Sequence, residues 1–153
     1  GELVTSAHVL GTSMWDHIAD ESTRAIYQQL LQLARGGQAI RFRLHCDSPG
    51  RQRLLDMRIG PGRDNSTEFR TRVVAESVRP RVQLLDPEIR RVAGFVRMCG
   101  WCQKFAVGND WVEADLAVSR LGLLEASAVP RLSHGICSAC RKDLQLIAGS
   151  RGE

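Results

Sequence analysis

Apolar and polar positions alternate three times between residues 38 and 75. In residues 38–46, Ile40, Phe42, Leu44 and Cys46 alternate with Arg41, Arg43 and His45. In 52–60, Leu55, Met57 and Ile59 share one face, and Leu54, Asp56 and Arg58 share the other. In 67–75, Phe69, Thr71 and Val73 alternate with Glu68, Arg70 and Arg72. A period of two predicts half-buried strands, because successive side chains on a strand point to opposite sides. Asp47-Ser48-Pro49-Gly50 and the stretch from Gly60-Pro61-Gly62 to Ser66 carry turn chemistry, so the three strands read as an antiparallel meander. Ahead of them the period changes. Ile26, Leu30 and Leu33, with Tyr27 and Leu31 beside them, predict a helix over 20–35. Asp20 or Ser22 is placed to cap it, and Gly36-Gly37 to stop it. In the first 19 residues, Leu3, Val4, Val9 and Leu10 suggest a short strand or extended entry; Met14, Trp15 and Ile18 suggest a helical turn.

Beyond residue 76 the pattern is weaker. Pro80 and Pro87 mark residues 77–87 as a linker. Ile89, Val92, Val96 and Phe95 suggest a short connecting helix over 88–98. A hairpin around Gly108-Asn109-Asp110 follows, then a helix over 112–122 with Leu116 and Leu121 inward. A loop holding Pro130 and a final helix over 138–148 complete the chain. The expected organisation is three parts: 1–76, 77–97 and 98–153.

Two composition features change this picture. The 153 residues carry a formal charge of +4, and 19 of the 21 basic residues are arginine. Those arginines are spread along the chain, which reads as solvated faces; a nucleic-acid partner is the competing reading, through Arg41, Arg43, Arg58, Arg70 and Arg72 on the outer face of the meander. Aromatic residues are 5% of the chain and do not interleave with them, so that reading ranks low. No run approaches the ~20 apolar residues of a membrane span, and no secretory segment opens the chain. A cytoplasmic protein is expected, with further residues upstream of Gly1.

The second feature is cysteine spacing. Cys99-x-x-Cys102 and Cys137-x-x-Cys140 are two pairs separated by 34 residues. Two cysteines three apart fold the backbone around one ion and offer two corners of a tetrahedron; two such knuckles close the shell. A four-thiolate metal site is therefore predicted, with zinc as the ion and iron or an iron–sulfur cluster as runner-up. Two disulfides or four free thiols are the alternatives. A closed shell leaves no position for water, which argues against hydrolytic zinc chemistry. His134, three residues before Cys137, is expected to support a ligand through a hydrogen bond, with direct ligation as the alternative. Trp101 and Trp111 read as core, and Cys46, on the apolar face of its strand, as a small buried hydrophobe. His45, Cys46 and Asp47 are nucleophile-like residue types, but neighbours on a strand diverge and do not form a dyad. No convincing active site emerges, so a non-enzymatic protein is expected.

The residues Met98-Cys99-Gly100-Trp101-Cys102-Gln103-Lys104, Trp111-Val112-Glu113 and Leu132-Ser133-His134-Gly135-Ile136-Cys137-Ser138-Ala139-Cys140 resemble a module often appended to bacterial PAS-type sensor proteins. That module reads C-x-W-C-K-K, then a tryptophan and a helix, then S-H-G-I-C-x-x-C. Here Gln103 replaces the first lysine. Val9-Leu10-Gly11-Thr12-Ser13-Met14-Trp15-Asp16-His17-Ile18 and His45-Cys46-Asp47-Ser48-Pro49 are similar to the PAS-like domain found with it. The resemblance implies an α+β fold: a PAS-like antiparallel sheet with helices on one face, lacking two N-terminal strands, then a zinc-binding module. It implies a sensing or interaction role in signal transduction. A protein partner or a second copy of the chain is expected, and a small-molecule ligand is compatible with the PAS-like part. A signal would pass through the connecting helix near residues 86–98. A thiol-based redox or metal sensor and a zinc-dependent nucleic-acid-binding regulator are the other functions considered.

Overall fold

The computed structural model describes residues 6–149. The fold is α+β, with two sheets and four α-helices among those residues. Helix α1, Ser6–Val9, stands where an extended entry was expected; Leu3 and Val4 lie outside the described residues. A 3-10 turn, Met14–His17, follows as predicted. Helix α2 covers Glu21–Arg35, and the Asp20 carboxylate accepts the Thr23 N–H at 2.7 Å, satisfying one of the orphan donors of its first turn. Gly37, at φ 92°, supplies the left-handed residue that ends it.

Strands β1 (Ile40–His45), β2 (Arg51–Pro61) and β3 (Thr67–Val78) form the predicted antiparallel meander in sequential order. Ile40 pairs with Ile59 and Phe42 with Met57, so apolar side chains from both strands share one face. Helix α2 lies over that face and buries Ile26, Leu30, Leu31 and Ala34 against it. Strand β3 is at the edge, and its apolar positions stay open: Phe69 is 38% and Val73 51% exposed. The period-two pattern located β3 but overstated its burial, because α2 is centred on β2 and the second covering helix, at the C-terminal end of the described chain, packs on β1 and not on β3. Cys46 is also exposed rather than buried, since it lies just past the covered part of β1. The second turn is tighter than expected: Gly60 and Pro61 belong to β2, and Asp64 and Asn65 reverse the chain with positive φ.

The expected connecting helix over 88–98 is a strand. Strand β4 (Arg90–Cys99) pairs in parallel with β7 (Ala128–Gly135), a segment expected to be a loop. Ile89, Val92, Val96 and Phe95 fit helical spacing, but β-branched and aromatic residues favour a sheet once a partner strand is present. A bulge between Val92 and Phe95 takes in Gly94 at φ 96°, and Pro130 sits opposite it on an edge strand, where its missing N–H costs little. A signal route through a helix at this point therefore falls. Strands β5 (Phe105–Val107) and β6 (Asp110–Val112) are the predicted hairpin, and the sheet runs β6-β5-β4-β7. Helix α3 (Ala114–Arg120) buries Ala117 and Val118 while Leu116 is 44% exposed, so the inward face is one turn position away from that expected. Helix α4 (Ser138–Gly149) closes the described chain and packs on α2 and β1.

Two apolar cores result. One joins Val82, Leu84, Val96, Met98, Phe105, Ala117 and Val129 around the second sheet. The other joins α2 and the meander to Cys99, Trp101, Ile136, Cys137 and Leu144. The cysteine segments thus share a core with residues 26–59. Beside the second-sheet core, Asp86 is buried and binds Arg81 at 2.8 Å, with the Glu88 N–H at 3.0 Å. The Arg81 hydrogen bond, followed by that N–H, holds its carboxyl below the usual carboxylate range. A depressed folded-state pKa stabilises the fold above the ordinary value, and this contribution is lost as pH falls through the depressed one. Asp86→Asn is expected to flatten the acid limb of the unfolding curve below about pH 4, measured by circular dichroism against pH. An unchanged acid limb would contradict this role.

Candidate metal centre

The first knuckle grows out of the β4–β5 connection. The Cys99 N–H donates to Lys104 O at 2.8 Å, and the Gln103 N–H donates to Cys99 O at 3.0 Å. Gln103 takes φ 56°, and the chain doubles back so that Cys99 and Cys102 face one point. The second knuckle is the start of α4, where the Arg141 N–H donates to Cys137 O at 2.9 Å. Parallel pairing of β4 with β7 brings the knuckles together, since Cys99 pairs with Gly135, two residues before Cys137. The Gly100 N–H donates to Gly135 O at 2.9 Å and fixes that approach. The long gap between the cysteine pairs is the hairpin, α3 and the return strand β7.

All four sulfurs lie within 4.8 Å of one another, and Cys102 Sγ is 3.7 Å from Cys137 Sγ. A tetrahedron with metal–sulfur bonds of about 2.3 Å has edges of about 3.8 Å, so the group is dimensioned to hold one ion. The Cys137 N–H points at Cys99 Sγ and the Cys140 N–H at Cys137 Sγ, both at 3.4 Å. Donors aimed at sulfur favour thiolate. Cys99 and Cys137 are buried; Cys102 and Cys140 are half-buried. As thiols, Cys99, Cys102 and Cys140 share protons unevenly. Hydrogen bonds from Cys102 and Cys140 lower the Cys99 pKa far below that of an ordinary thiol. Cys140 is raised far above it by the bonds it gives to Cys102 and Cys99. Cys102 accepts from Cys140, but its own bond to Cys99 and its burial prevail and push it up to about 12. A cation replaces these shared protons and makes all four sulfurs anions.

No known family model, curated protein or solved structure matches this chain.

The cysteine group therefore stands on its own geometry and on what surrounds it. Trp101 lies inside the first knuckle, 4% exposed, and stacks on Tyr27 with ring centroids 5.5 Å apart. Its carbonyl accepts the His45 N–H, which ties the knuckle to the free edge of β1. Trp111 is a partly buried member of the same core. Lys104 pairs with Glu113 at 3.3 Å, and that hydrogen bond, reinforced by the nearby thiolates, raises its pKa. His134 stands exposed on β7 and is not one of the four clustered ligands. It lines an open cavity of about 520 Å³ together with His17, Asp20 and Thr23.

Sequence reasoning missed the support behind the first knuckle. Gln103 Oε1 accepts the Asp47 N–H at 2.8 Å. Asp47 Oδ1 accepts the Arg53 N–H at 2.9 Å and lies 3.3 Å from His45 Nδ1; its Oδ2 lies 3.2 Å from the Arg79 guanidinium. The side chains of Asp47 and Arg79 are 5% and 8% exposed. Residues two apart on a strand share a side, and His45 and Asp47 meet. The available signal was Asp47 just before the Ser48-Pro49-Gly50 turn. Its partner Arg79, 32 residues on, carries no mark in the sequence.

Proposed function

We propose that this is a non-enzymatic regulatory or interaction protein, in which a PAS-like meander is built onto a structural zinc centre of Cys99, Cys102, Cys137 and Cys140. The observation that carries it is the closure of the ligand set: four cysteine sulfurs within 4.8 Å, two of them fully buried, in a core shared with α2 and β1. Zinc suits this shell because it is tetrahedral, thiophilic and without redox chemistry. A closed shell leaves the ion to fold the chain rather than to activate water. The PAS-like part of the reading rests on the resemblance of residues 3–76 and on the antiparallel order β1-β2-β3 with helix α2 laid across it. Such a protein acts by binding a protein partner or a second copy of itself, in the cytoplasm of a bacterial cell. X-ray absorption at the zinc edge is expected to show four sulfurs at about 2.3 Å. Three sulfurs and an oxygen would reveal an open position and contradict the non-enzymatic reading.

A thiol-based redox sensor is the second reading, favoured by the half-buried state of Cys102 and Cys140. It would hold equally for an iron centre, which visible absorption distinguishes. Nucleic-acid binding is less favoured. On the outer sheet face Arg41 and Arg72 already pair with Asp56, and Arg70 pairs with Glu68. Among the described residues no helix is long and apolar enough to cross a membrane.

A further inference from the structure

The metal group is not equally shielded on all sides. A cavity of about 250 Å³ lies between the free edge of β1 and helix α4. Phe42, Trp101 and Ile147 give it an apolar wall, and His45, Cys102 and Cys140 also line it. The two sulfur-bearing residues that reach this space are the two that are half-buried; Cys99 and Cys137, at 0% and 3% exposure, do not line it. The sulfurs differ in a second way. Backbone N–H groups are directed at Cys99, Cys137 and, from Lys104, at Cys102, and among the described hydrogen bonds none is directed at Cys140 Sγ. A thiolate that accepts hydrogen bonds is stabilised and is the poorer nucleophile. Access and nucleophilicity therefore coincide at Cys140.

We propose that this cavity is the port by which small peroxides and other electrophiles reach the metal centre, that Cys140 is modified first, and that Cys102 resolves the product as a disulfide. The inference rests on the four-cysteine metal reading and names the place where that site is regulated. In the first step the Cys140 thiolate attacks one oxygen of the peroxide; the S–O bond forms, the O–O bond breaks, and the departing hydroxide takes a proton from solvent. In the second step the Cys102 thiolate attacks the Cys140 sulfenic sulfur; the S–S bond forms, the S–O bond breaks, and hydroxide again leaves with a proton. Two thiolates lose two electrons in all, and one hydrogen peroxide becomes two waters. The bridge joins one cysteine from each knuckle. Their sulfurs, within 4.8 Å, close to about 2.05 Å once the ion has lost two ligands and departs.

The test uses the full chain carrying Cys46→Ser, because Cys46 is an exposed thiol outside the site. Metal per chain is measured first. The loaded protein is then treated with limiting N-ethylmaleimide, or in a separate arm with hydrogen peroxide, and mapped by peptide mass spectrometry. Cys140 is expected to label at least about five-fold faster than Cys99 or Cys137. The first disulfide is expected to be Cys102–Cys140, appearing together with release of the ion to a chromogenic chelator. Ile147→Trp, which narrows the cavity by enlarging one of its lining side chains, is expected to slow both reactions several-fold while leaving metal content unchanged. Equal labelling of a buried cysteine, a first bridge within one knuckle, or rates unchanged in the tryptophan variant would overturn the port. A chain that binds no metal would overturn the metal reading beneath it, which is a different result.

Discussion

Cys137→Ser is expected to lose the metal and to unfold more than its own knuckle. Serine is a far weaker ligand than thiolate, and a three-sulfur remainder opens the shell to water. The consequence spreads because Cys137 belongs to the core that also holds Ile26, Leu30, Phe42, Ile59 and Leu144. Binding of a structural zinc ion contributes on the order of 10 kcal/mol to folding, comparable to the whole stability of a domain this size. The variant is expected to show no metal by elemental analysis and no cooperative thermal transition, or one lowered by more than about 20 °C. A chelator added to the unaltered chain is expected to give the same circular dichroism change. Normal cooperativity in the metal-free chain would mean that apolar packing alone holds α4 against α2 and β1.

Asp47→Ala is the second large effect. The substitution leaves the Arg79 guanidinium buried without its anion and deprives the Arg53 N–H of its acceptor. Breaking a buried pair from one side costs about 3–5 kcal/mol, roughly 10 °C in melting temperature for a chain of this length. Arg79→Met strands the carboxylate in the same way. The double variant is expected to lie at least about 1 kcal/mol above the sum of the single losses, because neither charge is then left alone. Chemical unfolding of the three variants gives the comparison. Strict additivity would show that the pair is not coupled and that Asp47 acts only by fixing the turn. Asp47 also donates its N–H to Gln103, so the same variants are expected to loosen the first knuckle, visible as faster amide exchange at Gln103 and Lys104.

The parts legible in the sequence are those set by local period and local chemistry. Helix α2 has a hydrophobic stripe, an Asp20 cap and a double-glycine stop, and each signal agrees with the others. The meander was legible because its three strands are consecutive and joined by short turns. The cysteine group was legible because thiolate spacing encodes a metal site without reference to fold. Strands β4 and β7 were not, because they pair in parallel across more than thirty residues, and neither carries a clean period. Residues 88–98 satisfied a helical pattern as well as a strand pattern, and the distant partner decided between them. Leu116 failed for a related reason: α3 is only seven residues long, and its buried side is chosen by the second sheet rather than by its own stripe. The Asp47–Arg79 pair was hidden in the same way, since nothing local distinguishes Arg79 from the other arginines.

The central claim is that Cys99, Cys102, Cys137 and Cys140 hold one metal ion. Elemental analysis of the chain purified without chelator, with thiols counted before and after denaturation, tests it most directly. The account predicts about one zinc per chain. It also predicts one fast-reacting thiol in the folded protein, Cys46, with the four metal-site thiols reacting more slowly, and five equally reactive after unfolding in chelator. A metal-free chain with all five thiols reactive while folded, or with two disulfides in place of the four thiols, would contradict it.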